Sequence, residues 1–353
     1  MYLQVRRSKQ PSFMKLKFYL FFLLTVLYVH CSAQGYYDQA FTYEAGISIG
    51  PMNSLTDIGG RRAYGTRGPK DLNLKSTTFF GSIYGSAAYK HFLAIRLEAS
   101  VGSVKSNDSL LAPVKPPNPA IGRYTRNLSF RSPIREIALT LEFHPLEFFG
   151  NTDPQSYPHA FSPYLIGGIG YFHFNPQANL NGEWIDLRPL HTEGEGFDEY
   201  PDRKMYKLNK VNVPLGIGVS FEASPKFNVR LEYISRMIFT DYLDDVHDKY
   251  IDPALFSKYL TGTDLKNVLI LNNRLRPGTP DPQTTARPGG RRGNPLNDDS
   301  YFTLNFKIGY AFGRDESSSG RGGNNWGIGG GNRYSDRKLS RMHKNQRTCP
   351  KMF

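Results

Sequence analysis

Apolar and polar residues alternate with a period of two along several stretches of this chain. In the clearest, Leu93, Ile95, Leu97, Ala99 and Val101 interleave with Ala94, Arg96, Glu98, Ser100 and Gly102. A second sets Val211, Val213, Leu215, Ile217, Val219 and Phe221 against Asn212, Pro214, Gly216, Gly218, Ser220 and Glu222. A third sets Phe302, Leu304, Phe306, Ile308, Tyr310 and Phe312 against Thr303, Asn305, Lys307, Gly309 and Ala311. Side chains of an extended strand point alternately to its two faces, so each stretch predicts a strand with one apolar and one polar face. Weaker alternation over 40–50, 77–89, 134–144, 161–174 and 227–239 brings the number to eight. Each segment is close to the 9–11 residues with which a tilted strand crosses a bilayer.

A soluble sandwich would bury the apolar faces between two sheets, whereas a membrane barrel turns them to lipid. The connections favour the barrel, because long and short ones alternate: long at 51–76, tight at Lys90-His91, long at 105–130, medium at 145–160, long at 175–210, tight at 223–226 and longest at 240–300. Short periplasmic turns and long outer loops give that parity. The expected fold is all-β: an antiparallel transmembrane outer-membrane β-barrel of about eight strands, with long extracellular loops and both termini in the periplasm. Side chains just fill an eight-stranded barrel. Arg96, Arg230 and Lys307 are therefore expected to pair inside it with Glu98, Glu136, Glu222 and Glu232, leaving no wide pore. Aromatic residues near segment ends, Tyr36, Tyr37, Phe41, Tyr89, Phe92, Phe143, Phe148, Phe149, Tyr171 and Phe172, suit interfacial girdles.

The N-terminus adds a route to that membrane. Residues 1–34 hold five basic residues, no acidic one, and the apolar run Phe18 to Val29, ahead of Cys31-Ser32-Ala33-Gln34. That is the build of a secretory signal peptide, too short for a membrane span. Met14 opens a compact signal of its own, so Met1 and Met14 are both candidate starts. Lipidation at Cys31 is disfavoured by the bulky Tyr28 and His30 before it. Export leaves Cys349 alone, so no internal disulfide is expected.

The net charge of +13 points first to nucleic acid, but its placement points elsewhere. The signal carries five of the positive charges, and residues 313–353 carry nine Lys/Arg against three acidic residues, which leaves 35–312 nearly neutral. The chain thus divides into a signal (1–34), a barrel (35–312) and a Gly/Arg-rich basic tail (313–353) whose composition cannot bury a core. With the tail in the periplasm, Arg333, Arg337, Lys338 and Arg341 are its candidate partner-binding residues, for an acidic protein, peptidoglycan or anionic lipid and not for nucleic acid.

Candidate chemistry lies in the long loops. Asp241, Asp244, Asp245 and Asp248 stand at i, i+3, i+4 and i+7, so a helix there would gather four carboxylates on one face, a weak candidate for Ca²⁺ that lacks a calcium loop's glycine turn. Asp186, His191, Glu193 and His247 are the residues that a rim hydrolase would have to bring together. No nucleophile–base motif accompanies them, and no zinc spacing occurs. No enzyme activity and no cofactor are expected.

Several segments carry a resemblance: Phe79-Phe-Gly-Ser-Ile-Tyr-Gly85, Pro163-Tyr-Leu-Ile-Gly-Gly-Ile-Gly-Tyr-Phe-His-Phe-Asn-Pro176, Trp184-Ile-Asp-Leu-Arg-Pro-Leu190 with Thr192-Glu-Gly194, and Thr240-Asp-Tyr-Leu-Asp-Asp-Val246. From about Tyr36 to Phe312 the chain resembles the PorG-type outer-membrane barrels of the Bacteroidota type IX secretion and gliding-motility machinery. The resemblance implies a non-enzymatic barrel that docks a periplasmic ring, of the lipoprotein PorK and its partner PorN, at the outer membrane. The rival reading is a general small barrel acting through its surface loops in adhesion, surface stabilisation or small-solute passage.

Overall fold

The computed structural model describes residues 41–61, 73–112, 114–115, 118, 120–150, 159–224, 226–276 and 287–312. The signal, Cys31, Cys349, Tyr36, Tyr37 and the basic tail with Arg333, Arg337, Lys338 and Arg341 lie outside them. The strands are β1 (Phe41–Leu55), β2 (Thr78–Tyr89), β3 (Leu93–Asn107), β4 (Ser129–Phe143), β5 (Phe161–Phe174), β6 (Gln177–Leu180), β7 (Glu183–Asp186), β8 (Asn209–Glu222), β9 (Phe227–Met237) and β10 (Ser300–Phe312). Eight of them form one antiparallel ring, β1-β2-β3-β4-β5-β8-β9-β10, which closes where Tyr43 pairs with Phe312 and Leu55 with Ser300. The short β6–β7 hairpin joins the ring only where Arg131 pairs with Gln177. Strands β1, β3 and β4 run several residues further toward the long loops than alternation predicts, to Leu55, Asn107 and back to Ser129.

The wall is inside out relative to a water-soluble protein. Outward Ile47, Ile49, Val101 and Ile217 are each about 60% exposed, while inward Arg96, Glu142 and Lys307 are fully buried. Closure leaves no open edge, and so large an apolar surface in water would drive association; both features belong to a chain that crosses a membrane by strands. Among the described residues no helix is long and apolar enough to cross.

At the end with short connections, aromatic rings form a chain: Phe41 against Tyr89 at 5.2 Å, Tyr89 against Phe92 at 5.9 Å, Phe92 against Phe148 at 5.3 Å and Phe143 against Phe148 at 5.6 Å. Phe148 and Phe149 come from helix α2 (Pro145–Gly150) within the medium connection, the second helix after α1 (Ile121–Arg126). This is the interfacial girdle expected from sequence, with one correction. Phe172 points inward and is fully buried, stacked on Phe174 at 5.5 Å.

Candidate functional site

The barrel interior is built in storeys. The lowest is ionic. Arg96 donates to Glu142 and to Glu232, both at 2.6 Å, and Lys307 lies 2.5 Å from Glu98 and 3.2 Å from Glu232. Arg230 bridges Glu142 at 2.7 Å and Glu44 at 3.0 Å, and Arg236 reaches Glu136 at 2.7 Å. Tyr84 and Tyr164 donate to Glu44 and Glu232. Both rings lie over backbone without side chains: a Cβ on Gly309 would stand 2.5 Å from the Tyr84 hydroxyl, and one on Gly218 would stand 2.6 Å from the Tyr164 ring. The glycines of the inward face therefore make room for two tyrosines. Arg96 and Lys307 pair with Glu98 and Glu232 as expected, whereas Arg230 takes Glu44 and Glu142, Glu136 takes Arg236, and the last expected member, Glu222, stands nearer the turn. It ends β8, opposite Asn228 beside the tight turn, below the network that Glu44 and Glu142 complete.

Above this floor the interior turns apolar, which alternation does not predict. Phe80, Val104, Phe130, Ile134, Phe172 and Phe174 from the strands meet Ile58, Tyr206, Leu243 and Val246 from three long loops in one buried cluster. The loops thus plug the mouth that the strands leave.

The third storey gathers buried carboxylates. Thr240 to Tyr250 is a series of turns, not a helix, so the four aspartates share no helical face. Asp244 accepts from the Ile58 and Val246 backbone N–H groups. Asp245 accepts from Tyr206 and Thr192, Asp241 faces the His247 Nδ1 at 2.9 Å, and Asp248 faces Arg203 at 3.3 Å. Among the described residues no group of three or more acidic, His or Cys side chains is placed to hold a metal ion. Asp299 accepts from the Leu243 N–H and Asp57 from the Asn294 N–H, and both stand close enough to repel Asp244 and Asp241. Burial first, and then this mutual repulsion, raises Asp241 to about 10 and Asp244 to about 8. Burial and the neighbouring Asp245 and Glu193 raise Glu195 to about 8; burial raises Asp245 to about 6 against the pull of Arg292.

Two arginines lock this layer. Arg126 donates to Asp108 at 2.9 Å and to the Asp57 and Arg292 carbonyls. Arg292 reaches Glu193 at 2.9 Å and the Asp245 carbonyl at 2.6 Å. Together they join residues from all four long loops. A second apolar cluster lies beyond them, where Leu187, Leu190 and Phe197 pack on Ile251, Phe256, Val268 and Leu271. Its frame is α3 (Phe256–Tyr259) and α4 (Gly262–Leu271).

The rim residues do not converge. Glu193 accepts from the His247 N–H at 3.0 Å, but the His191 ring turns to the Glu195 carbonyl and Phe197, and Asp186 accepts from Asn175 and Gln177 on the β6–β7 side. Glu195, Asp299, Asp57, Arg126 and Arg292 belong to the layer but gave no motif. Their only sequence signal was charge inside long loops.

The sequence model of a family described as a domain of unknown function (DUF6089) matches residues 18–189, just under half of the chain. No curated protein matches in sequence. Among solved structures, Neisserial surface protein A is 9% identical and covers 78% of this chain and 98% of its own, with a TM-score of 0.32. Ail of Yersinia pestis, solved with the heparin analogue sucrose octasulfate, is 10% identical over 76% of this chain and 99% of its own (TM-score 0.31). A major outer membrane protein of Thermus thermophilus is 12% identical over 78% of this chain and 100% of its own (TM-score 0.32). The chain's own geometry, with eight closed antiparallel strands, an apolar outer wall and an ionic interior, makes it a transmembrane β-barrel of the outer-membrane kind.

Proposed function

We propose that this protein is a non-enzymatic outer-membrane anchor that holds a periplasmic secretion ring of the type IX system in place. The observation that carries the anchoring part is the filled interior: an ionic floor under an apolar plug leaves the barrel rigid and closed, suited to holding rather than conducting. Supporting the secretion part are the segments that resemble PorG-type barrels, above all 163–176 and 240–246. Orientation follows from the short connections, which face the periplasm in such barrels. Both ends of the barrel, Phe41 and Phe312, lie at that side, which supports a periplasmic location for the tail. PorK and PorN are the ring proteins implied. The test is a tagged copy solubilised from outer membranes, which should bring down ring lipoproteins, with cargo retained in the cell when the gene is deleted.

One observation favours a second reading. The loops build a cap with its own apolar core, more structure than an anchor needs. If the cap is the working part, in adhesion or surface stabilisation, deleting residues 253–272 would abolish surface binding and leave cargo secretion intact.

A further inference from the structure

The outer wall changes character toward the long loops on three neighbouring strands. On the face that turns to lipid, β3 passes from Val101 to Lys105, β4 from Ile137 to Arg135 and then Arg131, and β5 from Tyr171 to His173. Val101, Ile137 and Tyr171 are each close to 60% exposed, so the basic residues begin where the apolar band stops, on the long-loop side.

Their pairing is unusual. Lys105 stands directly across from Arg131, a like-charge cross-strand pair, which is destabilising unless an anion lies between the two. Arg135 stands across from His173. Among the described residues, none of Lys105, Arg131, Arg135 and Arg274 forms an ion pair with a carboxylate. The neighbouring β7 carries Glu183 and Asp186, and Asp186 is engaged by the Asn175 and Gln177 amides.

The guanidinium of Arg131 is nonetheless held in place. It lies 4.1 Å over the Trp184 ring and donates to Gln177 Oε1 at 2.7 Å, while its Nε is buried without a hydrogen-bond partner. Arg274 donates to Ser129 Oγ at 3.2 Å, two residues from Arg131 on the same face of β4. It is half-buried, and that burial, with no opposing charge, lowers its pKa. A planar fork fixed on an indole, a second arginine beside it and no carboxylate ion-paired to either match the oxygens of a phosphate. Trp184, 42% exposed, has the amphipathic ring typical of the level where headgroups begin.

We propose that Lys105, Arg131, Arg135 and Arg274 form a docking site on the barrel wall for the phosphates of an outer-leaflet glycolipid headgroup. Arg131 and Arg135 lie about 13 Å apart along β4 at the usual strand rise, so one headgroup bearing two phosphates can engage both levels. The site depends on the orientation given above, long loops outward, and not on the secretion role.

The experiment uses the full chain refolded into nanodiscs and native mass spectrometry. Diphosphoryl lipid A, its dephosphorylated form, phosphatidylglycerol and inorganic phosphate are the four probes. Retention of diphosphoryl lipid A should fall about 100-fold in a K105Q/R131Q/R135Q variant, each surface cation being worth a factor of about five. Wild type should retain diphosphoryl lipid A far more strongly than its dephosphorylated form, a comparison that decides the matter even if the variant fails to fold. Equal retention of both lipid A forms by wild type would overturn the site. So would equal retention of phosphatidylglycerol or of inorganic phosphate, which would show general attraction of anions.

Discussion

Lys307 has no water to turn to. Its ammonium lies between Glu98 and Glu232, and its side chain is fully buried. Removing it leaves two buried carboxylates to share the single cation of Arg96, so Lys307→Met should lower barrel stability by about 3–5 kcal/mol, whereas replacing a whole buried pair with apolar residues is often nearly neutral. Urea unfolding in lipid, followed by heat-modifiable gel mobility, would measure the difference. The carboxylate layer predicts the opposite response. The folded pKa of Asp241, Asp244 and Glu195 stands above the ordinary carboxylate value, so their folded state holds protons that the unfolded state releases. Stability from these groups is complete below about pH 4, is lost as pH rises, and is fully gone only above about 8 to 10. The cap should therefore loosen from pH 5 to pH 8, read as faster hydrogen exchange over 240–250 after correction for intrinsic rates. A D241N/D244N variant should flatten that dependence and protect the cap at pH 8; an unchanged pH profile would show that these carboxylates are not the cause.

At the scale of elements, each apolar cluster reports on a different part of the chain. Phe256 is fully buried in the outer cluster, and Phe256→Ala should cost about 3–5 kcal/mol there, releasing α3 and α4 to exchange and proteolysis while the barrel strands stay protected. Loss of protection in β8 to β10 as well would mean that cap and barrel unfold as one unit. The strands were legible because lipid and ionic interior impose opposite chemistry on alternate residues, as at Leu93 to Gly102. Legibility fails where that contrast fades: in β5, Phe172 and Phe174 are aromatic yet inward, because at that height the interior is an apolar plug. The cap looks like plain loop in the sequence for a related reason. Its turns at 240–250 are held by contacts to Ile58, Tyr206 and Arg292, partners more than 30 residues away in sequence, and the aspartate spacing that suggests a helix instead reflects four separate anchors.

The molecule as a whole is a closed barrel sealed by its own loops, with a girdle at one end and a cap at the other. In planar bilayers it should give no steady conductance, since floor and plug fill the path; stable ohmic steps would show a continuous water channel instead. Of the segments that resemble PorG-type barrels, 240–246 helps build plug and cap, while 163–176 is largely β5 and runs from Tyr164 in the ionic floor to Phe172 and Phe174 in the plug; the contacts expected of an anchor belong to the short-turn side. The most direct measurement is cargo export in a strain lacking this gene, with and without the gene restored in trans. Cargo held in the periplasm, released to the medium on restoration, is the predicted result. Cargo reaching the medium normally without the protein would contradict the anchoring role.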